Sequence, residues 1–569
     1  MATVVTDVAG IDKEFDYLVP ASMPLEVGAM VRVPLGGRRV GGWVLRLARR
    51  ADGTGGRELR PVAKRRGFGP TADLVELSAW AAWRWAGRRE SFLGAASPRK
   101  AVTALPEPAL RPPAAPRPGT PGVAPGPSVL RWPPAVDPTP AVAAAAQAGP
   151  TLVVVPTLAR AAVLAERLRR AGAGVALLPG EWALARAGAA VVVGARSAAW
   201  GPCPGLAAAV VVDAHDEGLA QQGAPTWDAV TVVAERARRA GARCVLITPC
   251  PTPELAARFP VRLPDRNRER AGWAALEVVD RRGDDPRLGL YSERLVALVR
   301  SASKVACVLN RKGRVRLLAC SACATLVRCA ACGGAVASPE PGLLSCGRCG
   351  ETRPALCAAC GSTALKALRL GTARAREDLE RLAGRPVGEV VAGTAGLPEA
   401  GVLVGTSALL ERLSPSWGLD AVAFVDFDQE LLAPRVRASS EALSMLAQAS
   451  RLVRGRRGRV LVQTRLPDHP VVRAALLAEP GLVVDAELPL RRAMRLPPFA
   501  AVAVLHGDGA AHLAGALGEL PAVEVIGSPV GAGGRWLVKA ADHEALCDAL
   551  ATAGRPAAGV RIAVDPARL

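Results

Sequence analysis

Aromatic side chains are scarce in this 569-residue sequence, where they make up 4% of the residues and include only two tyrosines. A folded core must therefore rest on valine, leucine and alanine, and hydrophobic residues at 50% of the chain are enough to build one. No apolar run reaches the roughly 18 to 20 residues of a membrane span. The N-terminal MATVVTDVAGIDKEF has no charged segment followed by an apolar stretch, so we expect no secretory signal. These absences predict a cytoplasmic protein with no membrane partner.

Acidic residues are also in short supply, with 51 Asp and Glu against 72 Lys and Arg and a net charge of +21. Such a balance favours binding to a polyanion, and nucleic acid is the first candidate. An arginine-rich, solvated surface encoded by a GC-rich genome is the alternative explanation. We therefore expect a nucleic-acid partner.

Shifts in composition and periodicity predict a multidomain α/β protein. Residues 15–48 alternate apolar and polar side chains, 73–89 are apolar at helical spacing, and the prolines of 106–134 exclude a helix or a sheet interior. Short β-branched runs such as TLVVVP and AAAVVVD, separated by helical stretches, predict two lobes built on parallel sheets. The predicted segments are a β-rich domain (1–70), a helical module (71–105), a linker (106–140), a first lobe (141–300), a second lobe (301–318 and 365–498), a cysteine module (319–364) and a C-terminal β-α-β-β-α-β domain (499–569).

Eight cysteines form four C-x-x-C pairs within about forty residues, and no other part of the chain has such a cluster. In a reducing compartment this spacing indicates metal binding rather than disulfides. Eight thiolates suffice for two closed, tetrahedral zinc sites, which are structural rather than catalytic. Iron–sulfur clusters and a redox role are the less favoured alternatives. The candidate ligands are Cys320, Cys323, Cys329, Cys332, Cys346, Cys349, Cys357 and Cys360.

The five other cysteines are isolated in the sequence, and we expect them to be small buried hydrophobic residues. Three of the four pairs are followed directly by a glycine, at Gly333, Gly350 and Gly361. A residue that adopts positive φ suits the tight turn around a metal.

Two α/β lobes with a basic charge suggest a nucleic-acid motor, but the chemistry of a motor is missing. A phosphate-binding loop needs G-x-x-x-x-G-K-[ST], and this sequence has no Gly-Lys dipeptide. The stretch before TLVVVP reads DPTPAVAAAAQAGP, without a glycine loop or a lysine. After AAAVVV the chain reads Asp213-Ala214-His215-Asp216, so the second acid that would help to hold Mg²⁺ is absent.

The sequence resembles the PriA family of primosomal replication-restart helicases over nearly its whole length. The spacing C-x2-C-x5-C-x2-C-x13-C-x2-C-x7-C-x2-C is similar to the family's zinc insertion. LNRKGR (309–314), VVVGARSAAWGP (191–202), VLVGTSALL (402–410), AFVDFDQELLAPRVRASSEAL (423–443), RLPPF (495–499) and GGRW (533–536) resemble further family motifs. FDYLVP (15–20) and VRVPLGGRRVGGWV (31–44) resemble its 3′-DNA-binding domain.

This resemblance implies roles for particular residues. The cysteine pairs would nest, with Cys320, Cys323, Cys357 and Cys360 on one zinc and Cys329, Cys332, Cys346 and Cys349 on the other. Residues 1–70 would be the 3′-DNA-binding domain, 71–105 a winged-helix-like module, and the two lobes degenerate helicase lobes. The expected partners are branched DNA with a 3′ end and, by resemblance, primosome proteins, the replicative helicase and single-strand binding protein. The pocket for the 3′ end would be formed by Phe15, Asp16, Tyr17, Gly36 and Arg60.

The sequence departs from the family at three places in one active site. The G-S-G-K-T loop is absent, D-E-E-H has become DAHD, and Q-x-x-G-R-x-G-R has become QASRLVRGRR, with Arg451 in place of the first glycine. We therefore expect a replication-restart protein that binds forks and helps reload the replicative helicase without helicase activity of its own. An active 3′–5′ helicase with an unconventional nucleotide site and a zinc-ribbon RNA-binding protein are the alternatives.

Overall fold

The structure is a computed structural model of the chain. It describes residues 1–8, 10–11, 13–49, 59–115, 126–284, 290–309, 318–323, 325–347, 349–367, 372–391, 393–394, 396–528, 534–554 and 559–566. Two of the motifs quoted above lie partly outside the described residues, namely 310–314 of LNRKGR and 533 of GGRW. No helix in the described part of the chain is long and apolar enough to cross a membrane.

The N-terminal part is an antiparallel five-stranded sheet in the order β2-β1-β4-β3-β5, followed by two helices. Apolar side chains of these strands form two small cores, one on a single face of the sheet and one where Val5, Trp43 and Leu45 pack against the two helices. Two helices occupy the segment for which we predicted a winged-helix-like module, and that finer comparison stays a prediction. The elements are β1 (Ala2–Thr6), β2 (Glu14–Tyr17), β3 (Met30–Leu35), β4 (Arg38–Leu47), β5 (Lys64–Gly67), α1 (Ala72–Arg84) and α2 (Arg89–Ala96).

The proline-rich segment corrects one expectation. Its last part, Pro127–Arg131, is strand β6, which pairs in parallel with two neighbours inside the first large sheet. The proline content of the segment hid this strand, because its single proline is the first residue, where proline is tolerated. The first sheet therefore begins within the predicted linker.

The first lobe is a seven-stranded parallel sheet in the order β14-β6-β13-β10-β7-β9-β8. Its central strands are runs of valine, leucine and alanine that are buried on both faces, as parallel sheets covered by helices require. The remaining elements are β7 (Thr151–Val154), β8 (Val175–Leu177), β9 (Val191–Gly194), β10 (Ala208–Val212), the short hairpin β11 (Ala220–Gln221) and β12 (Trp227–Asp228), β13 (Arg243–Thr248), β14 (Val261–Arg262), α3 (Thr139–Ala145), α4 (Leu158–Arg170), α5 (Trp182–Ala187), α6 (Ala229–Ala240), α7 (Pro253–Arg258) and α8 (Arg266–Gly272).

The second lobe is a six-stranded parallel sheet in the order β15-β26-β25-β16-β24-β23. Its edge strand β15 lies before the predicted boundary at residue 300. This strand belongs to the second lobe, because it pairs with β26 and not with any strand of the first lobe. The elements are β15 (Ala275–Asp280), β16 (Val305–Val308), β23 (Val387–Val390), β24 (Val402–Gly405), β25 (Ala421–Phe424), β26 (Arg459–Thr464), α9 (Glu293–Ser301), α10 (Thr372–Ala383), α11 (Ser407–Arg412), α12 (Asp428–Leu431), α13 (Ala438–Leu452), α14 (Pro470–Leu477) and α15 (Gly481–Ala493).

The cysteine module is inserted between β16 and α10 and consists of two three-stranded antiparallel sheets. The first sheet pairs the two ends of the module, since its central strand contacts the last strand of the insertion. The strands are β17 (Leu318–Cys320), β18 (Leu326–Val327), β19 (Val336–Ala337), β20 (Leu343–Cys346), β21 (Thr352–Pro354) and β22 (Leu365–Ala367).

The C-terminal part follows the order β-α-β-β-α-β, with strands arranged β28-β29-β27-β30 in one antiparallel sheet. Its helices share a core cluster with the helical module and the first lobe, and Arg84 of α1 donates to Asp565 beyond the last strand. The elements are β27 (Ala501–His506), α16 (Ala510–Gly518), β28 (Val523–Ser528), β29 (Arg535–Ala540), α17 (His543–Thr552) and β30 (Arg561–Val564).

Candidate functional site

A cleft of about 2260 Å³ lies between the two lobes and reaches the helical module and the C-terminal domain. Three elements meet in it at the place where a motor of this architecture would bind a nucleotide. These are the loop between β6 and α3, the residues that follow β10, and the last turn of α13. The carboxyl ends of parallel strands are the usual ligand edge of such a sheet.

The loop between β6 and α3 cannot cradle a phosphate. A phosphate-binding loop offers a series of backbone N–H groups to the ligand, and proline has none. This loop and the first turn of α3 contain Pro133, Pro134, Pro138 and Pro140. The described contacts show instead that the loop accepts a hydrogen bond, because Arg451 Nε donates to the Pro134 carbonyl at 2.9 Å.

Asp213, the acid that a motor would use toward Mg²⁺, is occupied by a side chain of the other lobe. Arg451 Nη1 and Nη2 donate to Asp213 Oδ2 and Oδ1 at 2.9 and 2.6 Å. The Asp213 side chain is only 5% exposed. Burial favours its neutral form, but the charge and hydrogen bonds of Arg451, with the charge of Arg160, outweigh burial and hold the pKa of Asp213 below its usual range. Asp213 is therefore an ionised carboxylate that two guanidinium groups neutralise.

Arg160 of α4 completes this inter-lobe cluster. Its Nη1 donates to Asp213 Oδ2 at 2.7 Å, and its Nη2 donates to Gln448 Oε1 of α13 at 2.8 Å. His215, the third residue of DAHD, contacts the Thr248 hydroxyl through Nδ1 at 2.9 Å, and burial lowers its pKa. The cluster is thus a set of ion pairs and hydrogen bonds that join the two lobes.

A second polar junction joins the lobes around Glu254 of α7. Arg437 and Arg491 from the second lobe contact Glu254 Oε1 at 3.0 and 2.9 Å. Burial would raise the pKa of Glu254, but the two arginines lower it to about 2. The lobes are thus held together by charged contacts at two separated places.

The eight candidate metal ligands form the two groups that nesting implies. Cys320, Cys323, Cys357 and Cys360 lie together, and so do Cys329, Cys332, Cys346 and Cys349, with all sulfurs of a group within 4.8 Å of one another. Cross-pair Sγ–Sγ distances are 3.5 Å in both groups. Tetrahedral zinc with Zn–S bonds near 2.3 Å separates its sulfurs by about 3.8 Å. The donor set and spacing fit zinc, and no open coordination position is left for catalysis.

Each cysteine pair sits in a turn of the same design. The first cysteine of each pair donates its N–H to a carbonyl five residues on, at Thr325, Gly334, Glu351 and Ser362. The glycines after three of the pairs have φ of 68°, 76° and 72°, as the sequence predicted. The module is attached to the second lobe, where Leu326 and Ala335 pack against Leu432 after α12.

The residues predicted to bind a 3′ end come from β2, from the segment that bonds to the residue after β2, and from the β3–β4 turn. Phe15, Asp16 and Tyr17 lie on β2, and the carbonyl of exposed Arg60 accepts the N–H of Leu18 at 3.0 Å. Gly36 occupies the β3–β4 turn with φ of 54°.

Their side chains differ in accessibility. Asp16 is exposed and its Oδ1 accepts from the Thr3 hydroxyl at 2.7 Å, while Phe15 is half-buried. Tyr17 is 4% exposed, and its hydroxyl donates to the Pro34 carbonyl at 3.2 Å. Burial raises the pKa of Tyr17, although the charge of Arg60 partly offsets it. Tyr17 thus belongs to the small core of the sheet, and Phe15 is the aromatic ring that is partly open to solvent.

Comparison with known proteins bears on this arrangement. The family model of the PriA 3′DNA-binding domain matches residues 3–98, which include both the five-stranded sheet and the two helices after it. The chain is similar to the probable replication restart protein PriA of Mycobacterium tuberculosis, with 28% identity over 576 residues that cover 87% of this chain and 85% of the relative. The chain is therefore similar to PriA proteins over most of its length.

Other PriA relatives are matched over a shorter part. The replication restart protein PriA of Thermotoga maritima is 28% identical over 346 residues, or 56% of this chain and 46% of the relative. The probable PriA of Mycobacterium leprae is 31% identical over 385 residues, or 62% of this chain and 56% of the relative. The chain thus spans about half the length of these two relatives.

Sequence reasoning missed three features of the cleft. Arg160 had no signal, because it is one of many arginines and meets Asp213 only once the strands are stacked. No signal in the sequence marks the Pro134 carbonyl either, since every residue type has a backbone carbonyl that can accept a hydrogen bond. The charged junction at Glu254 depends on how the two lobes pack, and no local pattern announces it. The five isolated cysteines, by contrast, are all buried, as expected.

Proposed function

We propose that this chain is a replication-restart protein that binds stalled or abandoned forks through a free 3′ end and helps reload the replicative helicase, without acting as an ATP-driven motor. The observation that carries the proposal is the pairing of a 3′DNA-binding domain with a cleft in which Arg451 and the loop prolines replace the nucleotide machinery. A protein with these two features would recognise its DNA target without hydrolysing ATP.

The exposed face of the N-terminal sheet supports DNA as the ligand. Arg32 of β3 and Lys64 of β5 are direct cross-strand partners, and like charges in this position destabilise a sheet. Arg39 lies opposite Pro34, whose carbonyl accepts a hydrogen bond from the Tyr17 hydroxyl. A row of cations therefore begins beside the proposed pocket, where the phosphates behind a terminal nucleotide would neutralise it.

In this proposal Asp16 accepts a hydrogen bond from the terminal nucleotide, Phe15 stacks on its base, and Arg60 meets a phosphate. Gly36 leaves space at the turn, because nothing lies within 4 Å of the position that a Cβ would take. Two structural zinc ions hold the cysteine module. Primosome proteins, the replicative helicase and single-strand binding protein are the proposed partners.

The test is equilibrium binding to three DNAs of equal length at one salt concentration. They are a fork with a 3′-hydroxyl end, the same fork with a 3′-phosphate, and a plain duplex. We expect the 3′-hydroxyl fork to bind at least about tenfold more tightly than either other DNA, and Asp16→Asn to remove that preference. Glu76→Gln makes an equal charge change at an exposed position of α1. It is the matched control and should keep the preference for the 3′-hydroxyl fork. Equal affinity for fork and duplex would refute fork recognition.

A second measurement addresses the motor. Phosphate release from ATP with forked DNA should stay at background for the wild-type chain. Turnover that Asp213→Asn abolishes would show that the cleft is catalytic and would restore the helicase alternative.

A further inference from the structure

The chain leaves α13 through a polybasic turn at the place where the family has its arginine-finger motif. The sequence RGRRGR spans 454–459, and all four of its arginines are exposed. In the same motif Arg451 points into the cleft and binds Asp213. The motif therefore has one arginine paired inside the cleft, Arg451, while Arg454, which also lines the cleft, and the three arginines after it are exposed to solvent.

The turn is fixed in place against α8. Gly455 has φ of 68°, and a Cβ on it would lie 2.4 Å from the Ala271 carbonyl oxygen, so only glycine fits. Arg454 before it also has a positive φ of 62°, which is strained for a residue with a side chain. Arg270 of α8 is exposed beside the turn, and Arg268 stacks on Trp132 at 4.1 Å. We call Arg268, Arg270, Arg454, Arg456, Arg457 and Arg459 the basic ridge.

The carboxylates around the basic ridge are engaged elsewhere. Asp265 accepts backbone N–H groups at the start of α8, and Glu269 is buried against Arg131 and Trp273. Asp420 accepts from the N–H of Lys304, and Glu479 pairs with Arg131 and Arg266. Within the described part of the chain, none of the four arginines of the turn has a carboxylate partner.

We propose that the basic ridge is a binding site for the phosphate backbone of double-stranded nucleic acid, formed from a motif that no longer serves ATP hydrolysis. Guanidinium groups bind phosphates through two parallel hydrogen bonds, and several of them close together bind regardless of base sequence. Residues 266–272 and 454–459 contain no large apolar side chain, although Leu263 before α8 and Leu477, whose carbonyl accepts from Arg266, are exposed nearby. The close spacing of four exposed arginines favours a ligand with regularly spaced, doubly accepting anionic groups, and a phosphate backbone supplies these more densely than an acidic polypeptide.

This inference rests on the proposed function only for the identity of the ligand as DNA. It adds a second contact, remote in sequence from the 3′-end pocket, through which a duplex arm of the fork is held. The ridge would supply affinity and its salt dependence, while the N-terminal domain supplies the preference for a 3′ end.

The test compares Arg456→Gln/Arg457→Gln/Arg459→Gln with a control of equal charge change, Arg170→Gln/Arg238→Gln/Arg294→Gln. The control arginines are exposed but paired with Glu166, Glu235 and Glu277. Affinity for a plain duplex and for the 3′-hydroxyl fork is measured between about 50 and 200 mM salt. Loss of two or three phosphate contacts should reduce the slope of log K against log salt by about 2 to 3, at about 0.9 per contact. The control should keep the slope.

The outcomes separate this inference from the proposed function. A reduced slope with an unchanged preference for the 3′-hydroxyl end supports both. A reduced slope in a protein that never prefers forks supports the ridge and refutes fork recognition. An unchanged slope, or an equal reduction of the slope in the control variant, overturns the proposal. Binding to polyglutamate is measured in the same way. A ridge variant that loses binding to polyglutamate and keeps its binding to DNA also overturns the proposal.

Discussion

Arg451 and Asp213 join the two lobes through two hydrogen bonds of 2.9 and 2.6 Å, at the point where a motor would hold Mg²⁺ and nucleotide. A motor needs its lobes to close and open around a ligand. Here the closing contact is supplied by the protein itself, and with Arg160 and Gln448 it spans both sides of the cleft. The same contact neutralises the Asp213 carboxylate and links the two lobes.

The first prediction concerns the strength of this contact. Arg451→Gln leaves the buried Asp213 carboxylate with Arg160 alone and should lower the free energy of unfolding by about 2 kcal/mol. Arg451→Gln/Asp213→Asn should cost less than the sum of the two single changes, because no charge is left unpaired. Urea unfolding at pH 7, followed by tryptophan fluorescence, measures both, with exposed Arg456→Gln as the control. Additive effects would mean that the pair is not coupled.

The pair also sets a pH dependence. Since the pKa of Asp213 is lower in the folded protein than in the unfolded chain, its contribution is present above the unfolded pKa near 4 and is lost as the pH falls. The cost of Arg451→Gln should therefore shrink when the unfolding is repeated at pH 4 and below.

The second prediction is that one substitution cannot restore the motor. Arg451→Gly returns the family's residue and frees Asp213, yet Pro133, Pro134 and Pro138 still offer no N–H to a phosphate and no lysine is present. Titration calorimetry with Mg-ATP should show no binding up to about 1 mM, which corresponds to less than about 4 kcal/mol of affinity. Binding to Arg451→Gly that Asp213→Asn then removes would contradict this.

The third prediction tests the pairing of the metal ligands. The wild-type chain should contain two zinc ions. Replacing Cys320 and Cys357 by serine damages one nested site and should leave one ion after dialysis against a weak chelator. Replacing Cys320 and Cys329 damages both sites and should leave none, whereas pairing by sequence neighbours would reverse these results. Serine at buried Cys203 and Cys307 is the control and should keep both ions.

The fourth prediction concerns Asp426, which follows β25 beside Asp428. Burial, with the charge of Asp428, raises the pKa of Asp426 to about 7. Between about pH 4 and 7 the folded protein holds a proton that the unfolded chain has released, so the free energy of unfolding should fall as the pH rises through this window. Asp426→Asn keeps an acceptor for Gln429 and should flatten that fall. At pH 8 it should stabilise the protein by on the order of 1 kcal/mol, read from urea unfolding at pH 5 and 8.

The parts that the sequence predicts well are those whose cause is local. A C-x-x-C turn followed by glycine carries its own geometry, and buried β-branched runs form parallel strands wherever helices cover them. Strand β6 was hidden because the prolines around it dominate the composition. The boundary between the lobes was misplaced at β15, since its partner β26 lies almost 180 residues away. The ion pairs at Asp213 join three segments that meet only after folding, so the departures from the family motifs were visible in the sequence but these contacts were not.

The nested cysteines have a consequence for how the insertion is tolerated. Leu318 and Ala367, at the two ends of the module, face each other as strand partners, and the outer cysteine group lies just inside them. Entry and exit of the inserted chain are therefore brought together by the module itself and not by the host sheet. It should behave as a detachable unit: a short turn between 318 and 367 should leave the second lobe folded, and the excised piece should fold alone when zinc is supplied.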